Sequence, residues 1–415
     1  MKILLINHYA GSPEMGMEFR PYYLAREWQK LGHEVLIVGG SFSHLRKKQP
    51  HTEGFAVCDS VHYYWIKTLQ YKGNGMKRFL SMIQFTFKLL LLRKKFLKNF
   101  KPDVVVASST YTIDNFAAKQ IAKEYFAQYI YEIHDLWPLS PMELGGMSKY
   151  HPFIMLMQWG ENFAYKHCNA VVSILPNTKS HCVTHGLDAD KFYYVPNGIV
   201  EEDWENPKPI DFKDAERIQK IKSQFNFLVG YAGGHAISNA LDELLEVAKL
   251  CNNESIAFIL IGDGVEKERL KERVMDERIA NVFFFDPIPK NKIPNMLSFM
   301  DALYIGWQKR NLYRFGISPN KLFDYMMAGK PIIQTIDAVN NIVEEAQCGY
   351  NADPENVESI KSALLRVMKL SEEERGILGK NGYQFVKSEH TYSVLSKRFL
   401  SVMDVLCASV GIVNT

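Results

Sequence analysis

Short apolar runs of strand length alternate with helical stretches along most of the 415 residues. Runs of Val and Ile without polar interruption are typical of parallel strands covered on both faces, and their alternation with helices predicts doubly wound α/β domains. Between the first two predicted strands a helix is expected over Phe19–Leu31, ended by Gly32. In the first half the predicted strands are Lys2–Asn7, Glu34–Gly39, Asp103–Ser109, Tyr129–Ile133, Ala170–Leu175 and Phe192–Pro196.

The pattern lapses in a polar stretch around Glu201–Lys222 and then restarts. The later predicted strands are Phe225–Gly234, Ala257–Gly264, Asn281–Ile288, Ala302–Trp307 and Pro331–Thr335. We therefore expect an N-terminal domain over residues 1–200, a C-terminal domain over 201–385, and a helix within 386–415 that packs back on the N-terminal domain. Open α/β sheets bind ligands at the carboxyl ends of their strands, so two such domains predict a closable cleft for a two-part substrate.

Composition excludes several classes of protein. Hydrophobic residues make up 47% and charged residues 23% of the chain, which excludes disorder and fibrous repeats. The 49 basic residues nearly balance the 46 acidic ones, so the net charge does not indicate a nucleic-acid partner. No pair of the six cysteines has CxxC spacing, which predicts free thiols and no zinc site. No apolar run reaches the roughly 18 residues of a spanning helix, and Ile3–Ile6 is too short for a signal core, so a soluble cytoplasmic chain is expected.

The most informative segment is Gly316–Pro331. Ser318 followed by a proline predicts a helix start, with Ser318 as the N-cap. Free backbone N–H groups at that start, together with the Lys321 ammonium, predict an anion site of diphosphate size. Asp324, one turn further, is placed to accept hydrogen bonds from sugar hydroxyls such as those of a ribose. The alternative is a capped surface helix with a lone ion pair. The buried face of this helix is expected to carry Leu322, Phe323, Met326 and Met327.

Two further loops are candidate anion sites. The pair Gly233 and Gly234 ends a predicted strand before a helix, and glycines there let a backbone approach phosphate closely. The loop Ala10–Gly16 leads into a helix whose start carries Glu18 and Arg20. Arg20 either binds a phosphate or carboxylate in a bidentate manner or merely bridges a surface acid.

His134 and Asp135 follow a predicted strand directly, so we expect them to line the site. A neutral imidazole suits a sugar hydroxyl; the alternative is a His134 satisfied by a backbone carbonyl. Asp188 and Asp190 have the form of a metal-chelating DxD motif, but they lie in a glycine-containing turn, and we interpret them as turn residues.

Ten basic residues and no acidic residue lie between Lys67 and Lys101. The middle of this segment is apolar and aromatic, which favours a helix on an anionic lipid surface, and its Leu and Phe runs argue against nucleic acid. At about 100° per residue, Lys77, Lys88 and Lys95 project in nearly one direction. The alternative is a partly buried crossover helix with a solvated basic edge. The residues expected at the membrane surface are Lys77, Lys88, Arg93, Lys94 and Lys95.

Taken in order, these segments resemble the family-4 retaining glycosyltransferases of the two-domain GT-B fold. The resemblance covers nearly the whole chain, and EIHDLWP and GISPNKLFDYM are particularly similar to the L-fucosamine transferase type of O-antigen and capsule assembly. It implies two Rossmann-like domains facing across a cleft, with the donor held mainly by the C-terminal domain and the acceptor by the N-terminal domain. Its marks are KILLINHYA with Gly16, LGHEV, EIHDLWP, VPNGI, YAGG, ILIGDG and PNKLFDYMMAGKP.

The resemblance also implies roles for individual residues. Asp324 matches the ribose-binding acid, Gly16 the N-terminal glycine loop, and His134 the histidine near the donor sugar. The residues that match the diphosphate loops are Gly233, Gly234, Ser318, Asn320 and Lys321. We expect the catalytic group to comprise His134, Asp135 and Lys321.

Two departures from the family pattern stand out. Gly316 replaces the first of two Glu residues that lie eight positions apart, Asp324 being the second. Gly234 and His235 stand where Arg and Lys are usual. Our hypothesis is that the lost positive charge is restored by Arg310, Arg314 and Lys321.

The function that this resemblance implies is that of a retaining hexosyltransferase. We expect transfer of an N-acetylated deoxyamino sugar such as FucNAc from a UDP-linked donor to a lipid-linked saccharide, at the inner face of the cytoplasmic membrane, in O-antigen or capsule synthesis. Lys, Arg and helix N-termini stabilise a departing diphosphate without a chelated cation, so no metal and no cofactor are expected. The alternatives are a nucleotide-sugar epimerase and a catalytically degenerate scaffold or carbohydrate binder.

Overall fold

The computed structural model describes residues 1–16, 19–252 and 254–408, which belong to two compact units. The first unit comprises Met1–Asn197, the short segment Phe315–Ser318, and the described residues from Tyr392 onward. The second unit comprises Gly198–Arg314 and Pro319–Thr391. Each unit is a Rossmann-like α/β domain, as the alternating sequence pattern predicts.

The first unit is built on an eight-stranded sheet with the order β3-β4-β2-β1-β5-β6-β7-β8. Its strands are β1 (Lys2–Ile6), β2 (Glu34–Gly40), β3 (Gly54–Cys58), β4 (Val61–Ile66), β5 (Val104–Ala107), β6 (Gln128–Ile133), β7 (Ala170–Ser173) and β8 (Phe192–Tyr194). The pair of β3 and β4 is antiparallel, whereas the other neighbouring pairs are parallel. This edge hairpin was not predicted, because β3 alternates half-buried and exposed positions and lacks a continuous apolar run.

Helices cover this sheet, and the predicted first helix is confirmed. It ends at Lys30, and Gly32 has a φ of +86°, a left-handed conformation that glycine adopts without steric cost. Between Met1 and Asn197 the helices are α1 (Phe19–Lys30), α2 (Met76–Phe96), α3 (Asp114–Tyr125), α4 (Leu139–Glu143), α5 (Pro152–His167) and α6 (Lys179–Thr184).

The second unit has a six-stranded parallel sheet with the order β11-β10-β9-β12-β13-β14. Its strands are β9 (Phe227–Ala232), β10 (Ile256–Ile261), β11 (Val282–Phe285), β12 (Ala302–Gly306), β13 (Ile332–Thr335) and β14 (Gly349–Ala352). Its helices are α7 (Glu202–Glu205), α8 (Phe212–Lys222), α9 (Leu241–Leu250), α10 (Lys267–Asp276), α11 (Ile293–Leu297), α12 (Asn320–Met327), α13 (Ile342–Glu345), α14 (Val357–Lys369) and α15 (Glu372–Glu389). The polar stretch interpreted as a lapse in the pattern therefore contains two helices, α7 and α8.

The last described helix, α16 (Tyr392–Ala408), belongs to the first unit. The Trp28 indole N–H of α1 donates to the carbonyl oxygen of Ser396 at 3.1 Å, and the Trp28 ring meets Phe399 edge-on. Trp28 and Phe399 are both fully buried, so α16 completes the cover on this side of the sheet.

Burial within the strands explains the apolar runs. Every residue of β9 and β10 is buried, because helices pack on both faces of the parallel sheet. Burying one Leu or Ile side chain stabilises the folded state by about 1.5–3 kcal/mol, so these continuous runs carry much of the stability of the second unit. The predicted core face of α12 is confirmed, since Leu322, Phe323, Met326 and Met327 are buried.

The start of α12 differs from the prediction by one residue. Pro319 occupies the N-cap position and makes no side-chain cap, and the helix begins at Asn320. Ser318 does not cap the helix because its Oγ accepts a hydrogen bond from the backbone N–H of Asn197 at 2.8 Å. The Asn197 side-chain amide also donates to the Ser318 carbonyl oxygen at 2.9 Å, which fixes this segment in the first unit.

Two further sequence expectations can be compared with the structure. All six cysteines are free thiols, as their spacing predicts. Within the described ranges, no helix combines the length and the apolarity that crossing a bilayer requires.

Glycine packing in α15 gives a test of the fold. A Cβ atom on Gly379 would lie 1.9 Å from the carbonyl oxygen of Gly329, whereas one on Gly376 would meet nothing within 4 Å. We expect Gly379→Ala to lower the free energy of unfolding by about 1–3 kcal/mol through overpacking. Gly376→Ala in the same helix should raise it by about 0.5–1 kcal/mol. Urea unfolding measures both variants, and equal effects would contradict this packing.

Candidate functional site

Lys321 on α12 and the glycine turn after β9 come together in the second unit. The Lys321 ammonium donates to the hydroxyl of Tyr231 at 3.0 Å and to the side-chain oxygen of Asn239. A Cβ atom on Gly233 would lie only 3.5 Å from Lys321 Nζ. Burial lowers the pKa of Lys321 to about 8. A diphosphate near Gly233 would therefore meet a partly desolvated cation, whose attraction is stronger than in bulk water.

Asp324 lies one turn further along α12. Its Oδ1 is buried and has no hydrogen-bond partner among the described residues. Burial raises the pKa of Asp324, an effect that the charge of Lys290 and a hydrogen bond with Trp204 oppose. An unsatisfied buried acceptor is costly, and a hydroxyl donor from a ligand would satisfy it.

His235 does not replace the missing cation of the glycine turn. His235 is fully buried, and its imidazole ring packs against the aromatic side chains of Tyr231 and Phe284. Burial, followed by the charge of Lys267, lowers the pKa of His235 to about 4. The imidazole is therefore neutral at pH 7.

The other predicted diphosphate groups of the second unit are at the surface. Arg310 donates to the side-chain oxygen of Gln308 at 2.6 Å, and Arg314 donates to the carbonyl oxygen of Asn311 at 2.7 Å. Both arginines are exposed, as is Asn320 at the first position of α12. Lys321 is thus the predicted cation that the fold buries beside Gly233.

Gly316, which replaces the first acid of the family pair, belongs to the first unit. Its φ of +93° lies in the left-handed region, where a glutamate would be strained. The position that lacks the acid, Gly316, therefore has a backbone conformation that glycine adopts without strain.

Arg20 forms a buried ion pair in the first unit. Its Nε donates to Glu132 Oε1 at 2.9 Å, and its two Nη groups donate to the carbonyl oxygens of Val195 and Pro196 at 2.9 and 2.5 Å. The side chains of Arg20 and Glu132 are 5% and 0% exposed. The sequence left open a bridge to a surface acid; Arg20 does pair with an acid, but Glu132 is buried and not at the surface. Burial would raise the pKa of Glu132, but Arg20 and His134 hold it at about 2.

His134 is the partly exposed end of this network. Its Nε2 lies 2.9 Å from Ser108 Oγ and 3.1 Å from Glu132 Oε2, so its partners are side chains and not a backbone carbonyl. Glu132 was missed by the sequence analysis, although an acid within the apolar strand β6 was the available signal.

Asp135 has a structural role in its own loop. Its Oδ1 accepts hydrogen bonds from the Ser140 hydroxyl at 2.5 Å and from the Leu136 backbone N–H at 2.9 Å. Burial raises the pKa of this carboxyl group. Asp135 therefore joins the end of β6 to α4 through its hydrogen bond with Ser140.

Gly16 has a φ of +89°, and a Cβ atom there would lie 3.2 Å from the side chain of Lys47. Glu18, the other candidate of this loop, lies outside the described residues. In the turn before β8, the Asp188 side chain accepts from the Asp190 backbone N–H at 3.4 Å, in agreement with a turn role.

The predicted basic helix exists as α2, but two of the five cations expected at the membrane surface are engaged within the chain. Lys88 donates to the carbonyl oxygen of Lys67 at 2.8 Å, and Arg93 forms an ion pair with Glu124. The membrane-surface role of Arg93 stays a prediction, with its guanidinium partly neutralised by Glu124. Lys77, Lys94 and Lys95 are exposed.

An exposed apolar stripe on α2 was not foreseen from the sequence. Its members have exposed fractions between 39% and 70% and are Met76, Leu80, Ile83, Phe87 and Leu91. At about 100° per residue they fall within about 80° of one another. The buried residues Met82, Phe85 and Leu89 lie on the opposite side of the helix. The helix is thus apolar on two faces.

Two family models match the chain. Glycosyltransferase family 4 matches residues 15–203, and glycosyl transferases group 1 matches residues 213–385. Together the matches span most of both units. The chain therefore carries a glycosyltransferase family 4 domain followed by a glycosyl transferases group 1 domain.

Individual relatives are distant. The chain is 20% identical over 270 residues to a Pseudomonas aeruginosa protein described as glycosyltransferase WbjE, a match that covers 63% of this chain and 66% of the relative. It is 22% identical over 360 residues to an Escherichia coli K12 protein described as the colanic acid biosynthesis glycosyl transferase WcaI, covering 84% and 83% of the two chains.

Solved structures confirm the predicted GT-B fold class. Sucrose-phosphate synthase from Thermosynechococcus elongatus superposes with a TM-score of 0.73 and 14% identity, over 98% of this chain and 99% of that one. The Anabaena protein HepE, solved in complex with UDP and glucose, has a TM-score of 0.66 and 13% identity, over 98% and 100%.

The buried ion pair of the first unit gives a second test. Arg20→Ala leaves the Glu132 carboxylate buried without its guanidinium, and should lower the free energy of unfolding by about 3–5 kcal/mol. Lys30→Ala in the same helix removes a half-exposed partner of Glu27. Because Glu27 still has Arg26 at 3.4 Å, this variant should lower the free energy of unfolding by less than about 1 kcal/mol. Denaturant unfolding compares the two, and a small effect of Arg20→Ala would contradict the buried pair.

Proposed function

We propose that this chain is a retaining hexosyltransferase that moves a sugar from a UDP-linked donor to a lipid-linked saccharide during synthesis of a surface polysaccharide. The observation that carries the proposal is the partly buried Lys321 ammonium beside Gly233, with the unsatisfied Oδ1 of Asp324 one turn along the same helix. A cation and a hydroxyl acceptor at this spacing suit the diphosphate and ribose of one nucleotide.

Lys321 has the properties that a leaving diphosphate requires. Negative charge develops on the phosphate as the glycosidic bond to the donor sugar breaks, and a fixed, desolvated cation stabilises it without reorganisation. The N-terminal N–H groups of α12 add positive potential at the same place. We therefore propose that transfer proceeds without a metal ion.

UDP as the donor nucleotide is supported by HepE, a fold relative whose structure contains UDP. The description of WcaI as a colanic acid biosynthesis glycosyl transferase supports a role in polysaccharide assembly. The retaining outcome, the FucNAc-type sugar and the lipid-linked acceptor rest on the resemblance of EIHDLWP and GISPNKLFDYM to the L-fucosamine transferases. His134, held by Ser108 and Glu132, is the proposed contact to the donor sugar.

A membrane-bound acceptor is supported by α2. Its apolar stripe faces away from the residues that pack on the protein, and the exposed Lys77, Lys94 and Lys95 lie on the same helix. Apolar burial and attraction to anionic headgroups act together on such a surface. We propose that the stripe inserts at the interface of an anionic membrane.

Donor binding should depend on the charge of Lys321. Because burial lowers the pKa of Lys321 to about 8, its protonated fraction falls about tenfold between pH 7 and pH 9. UDP affinity, measured by isothermal titration calorimetry, should fall about tenfold over this range. Lys321→Arg should bind UDP with a flat profile, and Lys321→Met should bind weakly at every pH. A wild-type affinity that does not change with pH would contradict the assignment.

The exposed arginines have their own test in the same titration. If Arg314 supplies part of the missing positive charge, Arg314→Ala should weaken UDP binding at pH 7. Unchanged affinity would remove Arg314 from the donor site and leave Lys321 as the cation there.

Membrane binding should depend on the apolar stripe. Phe87→Asp with Leu91→Asp removes two side chains worth about 1.5–3 kcal/mol each when buried, and should weaken binding to phosphatidylglycerol-containing vesicles by at least about tenfold. Phe126→Asp changes a still more exposed phenylalanine that follows α3 and should have no effect. Cosedimentation measures all three proteins, and equal losses in the two variants would contradict a role for the stripe.

Product analysis separates the proposal from its alternatives. With a UDP-sugar and a lipid-linked acceptor, the proposal requires a new glycoside whose anomeric configuration matches that of the donor. Interconversion of the sugar without a glycoside would identify an epimerase. UDP binding without turnover would identify a degenerate scaffold.

A further inference from the structure

Three metal-ligating side chains meet between α5 and α6 in the first unit, away from the residues assigned above. One ligand atom from each of Glu161, His181 and His185 lies within 4.8 Å of the others. Cysteine spacing, on which the expectation of no zinc site rested, carries no information about this set. Glu161 lies 20 residues before His181, so it is the tertiary fold, and not local sequence spacing, that brings the three side chains together.

The spacing of the two histidines along the chain is that of a chelating pair. They lie four positions apart, so they share one face of the helical turn, and their ring centroids are 4.2 Å apart. His185 Nδ1 lies 2.9 Å from the carbonyl oxygen of His181. This contact assigns the proton to Nδ1 and leaves Nε2 of His185 with a free lone pair, the tautomer that binds a metal.

Glu161 is buried and already oriented. The Tyr165 hydroxyl donates to its Oε1 at 2.9 Å, and the Gln158 amide donates to its Oε2 at 2.7 Å. Such outer hydrogen bonds fix a ligating carboxylate. Its ionisable partner is His181, whose Nε2 lies 3.0 Å from Oε1. A buried carboxylate is stable only beside positive charge, which a bound cation would supply.

We propose that Glu161, His181 and His185 bind one divalent transition-metal ion of the zinc type, with water completing a tetrahedral shell. Two imidazole nitrogens and one carboxylate oxygen are a donor set suited to Zn²⁺, whereas Mg²⁺ and Ca²⁺ prefer oxygen ligands. On binding, the hydrogen bond that His181 Nε2–H donates to Glu161 is replaced by bonds from both residues to the ion, and the displaced Nε2 proton passes to Nδ1 or to solvent.

The ion would stabilise a specific part of the first unit. The His181 ring meets Phe315 edge-on at 5.6 Å, and the backbone N–H of Asn177 donates to the Phe315 carbonyl oxygen at 3.1 Å. An ion that joins α6 to α5 would therefore also fix the His181 ring, against which Phe315 of the segment Phe315–Ser318 packs. None of the three ligands belongs to the proposed donor site, so this role is structural and the sugar transfer stays independent of metal.

The test is a titration of the metal-free full chain with Zn²⁺ and with Co²⁺, read by calorimetry and by the visible absorption of tetrahedral Co²⁺. We expect one saturable site, a rise in Tm with Zn²⁺, and no competition from Mg²⁺. His185→Ala and Glu161→Gln should each weaken Zn²⁺ binding by at least about tenfold. His51→Ala, which removes an exposed histidine elsewhere, should leave it unchanged.

His185→Ala is the decisive variant, because His185 is partly exposed and its side chain is not part of the core. Circular dichroism and UDP affinity check that it folds. Absence of a one-to-one site in the wild-type chain, or full Zn²⁺ affinity in His185→Ala, would overturn the proposal. Because the readout is metal binding without any sugar, its outcome is independent of the proposed transferase activity.

Discussion

A parallel sheet must be covered on both faces, and much of this structure follows from that requirement. The continuous burial of β9 and β10 forces each connection to cross over the sheet as a helix, so successive loops return to the same strand edge. The glycine turn at Gly233 and the start of α12 therefore lie side by side although they are far apart in sequence. Core packing thus positions the candidate donor site.

Electrostatics gives that site its character. Lys321 is held by the neutral side chains of Tyr231 and Asn239, so no carboxylate of the described chain neutralises its charge through an ion pair. In the first unit the opposite holds, because Arg20 neutralises Glu132 completely within the fold. One buried cation is thus available for an anionic ligand, and the other is a part of the architecture.

Sequence patterns predicted what depends on local spacing. Most of the strands, helix α1 and the buried face of α12 follow from apolar periodicity, whereas β3, β4 and β14 were not predicted. The partners of Arg20, Ser318 and Arg93 did not follow, because each lies far along the chain, at Glu132, Asn197 and Glu124. The exposure of the stripe on α2 was not predicted for another reason. The sequence of a helix with apolar residues on two faces does not reveal which Leu and Phe side chains face the core and which face the solvent.

The account rests on a nucleoside diphosphate binding to the second unit without a metal. The most direct measurement is thermal stability against UDP, GDP, ADP, CDP and dTDP, each with and without EDTA. A ligand at about 100 times its Kd adds roughly 2.7 kcal/mol, a shift of several degrees. The account predicts a shift with UDP that EDTA does not reduce and that Asp324→Ala abolishes. No shift with any nucleotide would contradict it.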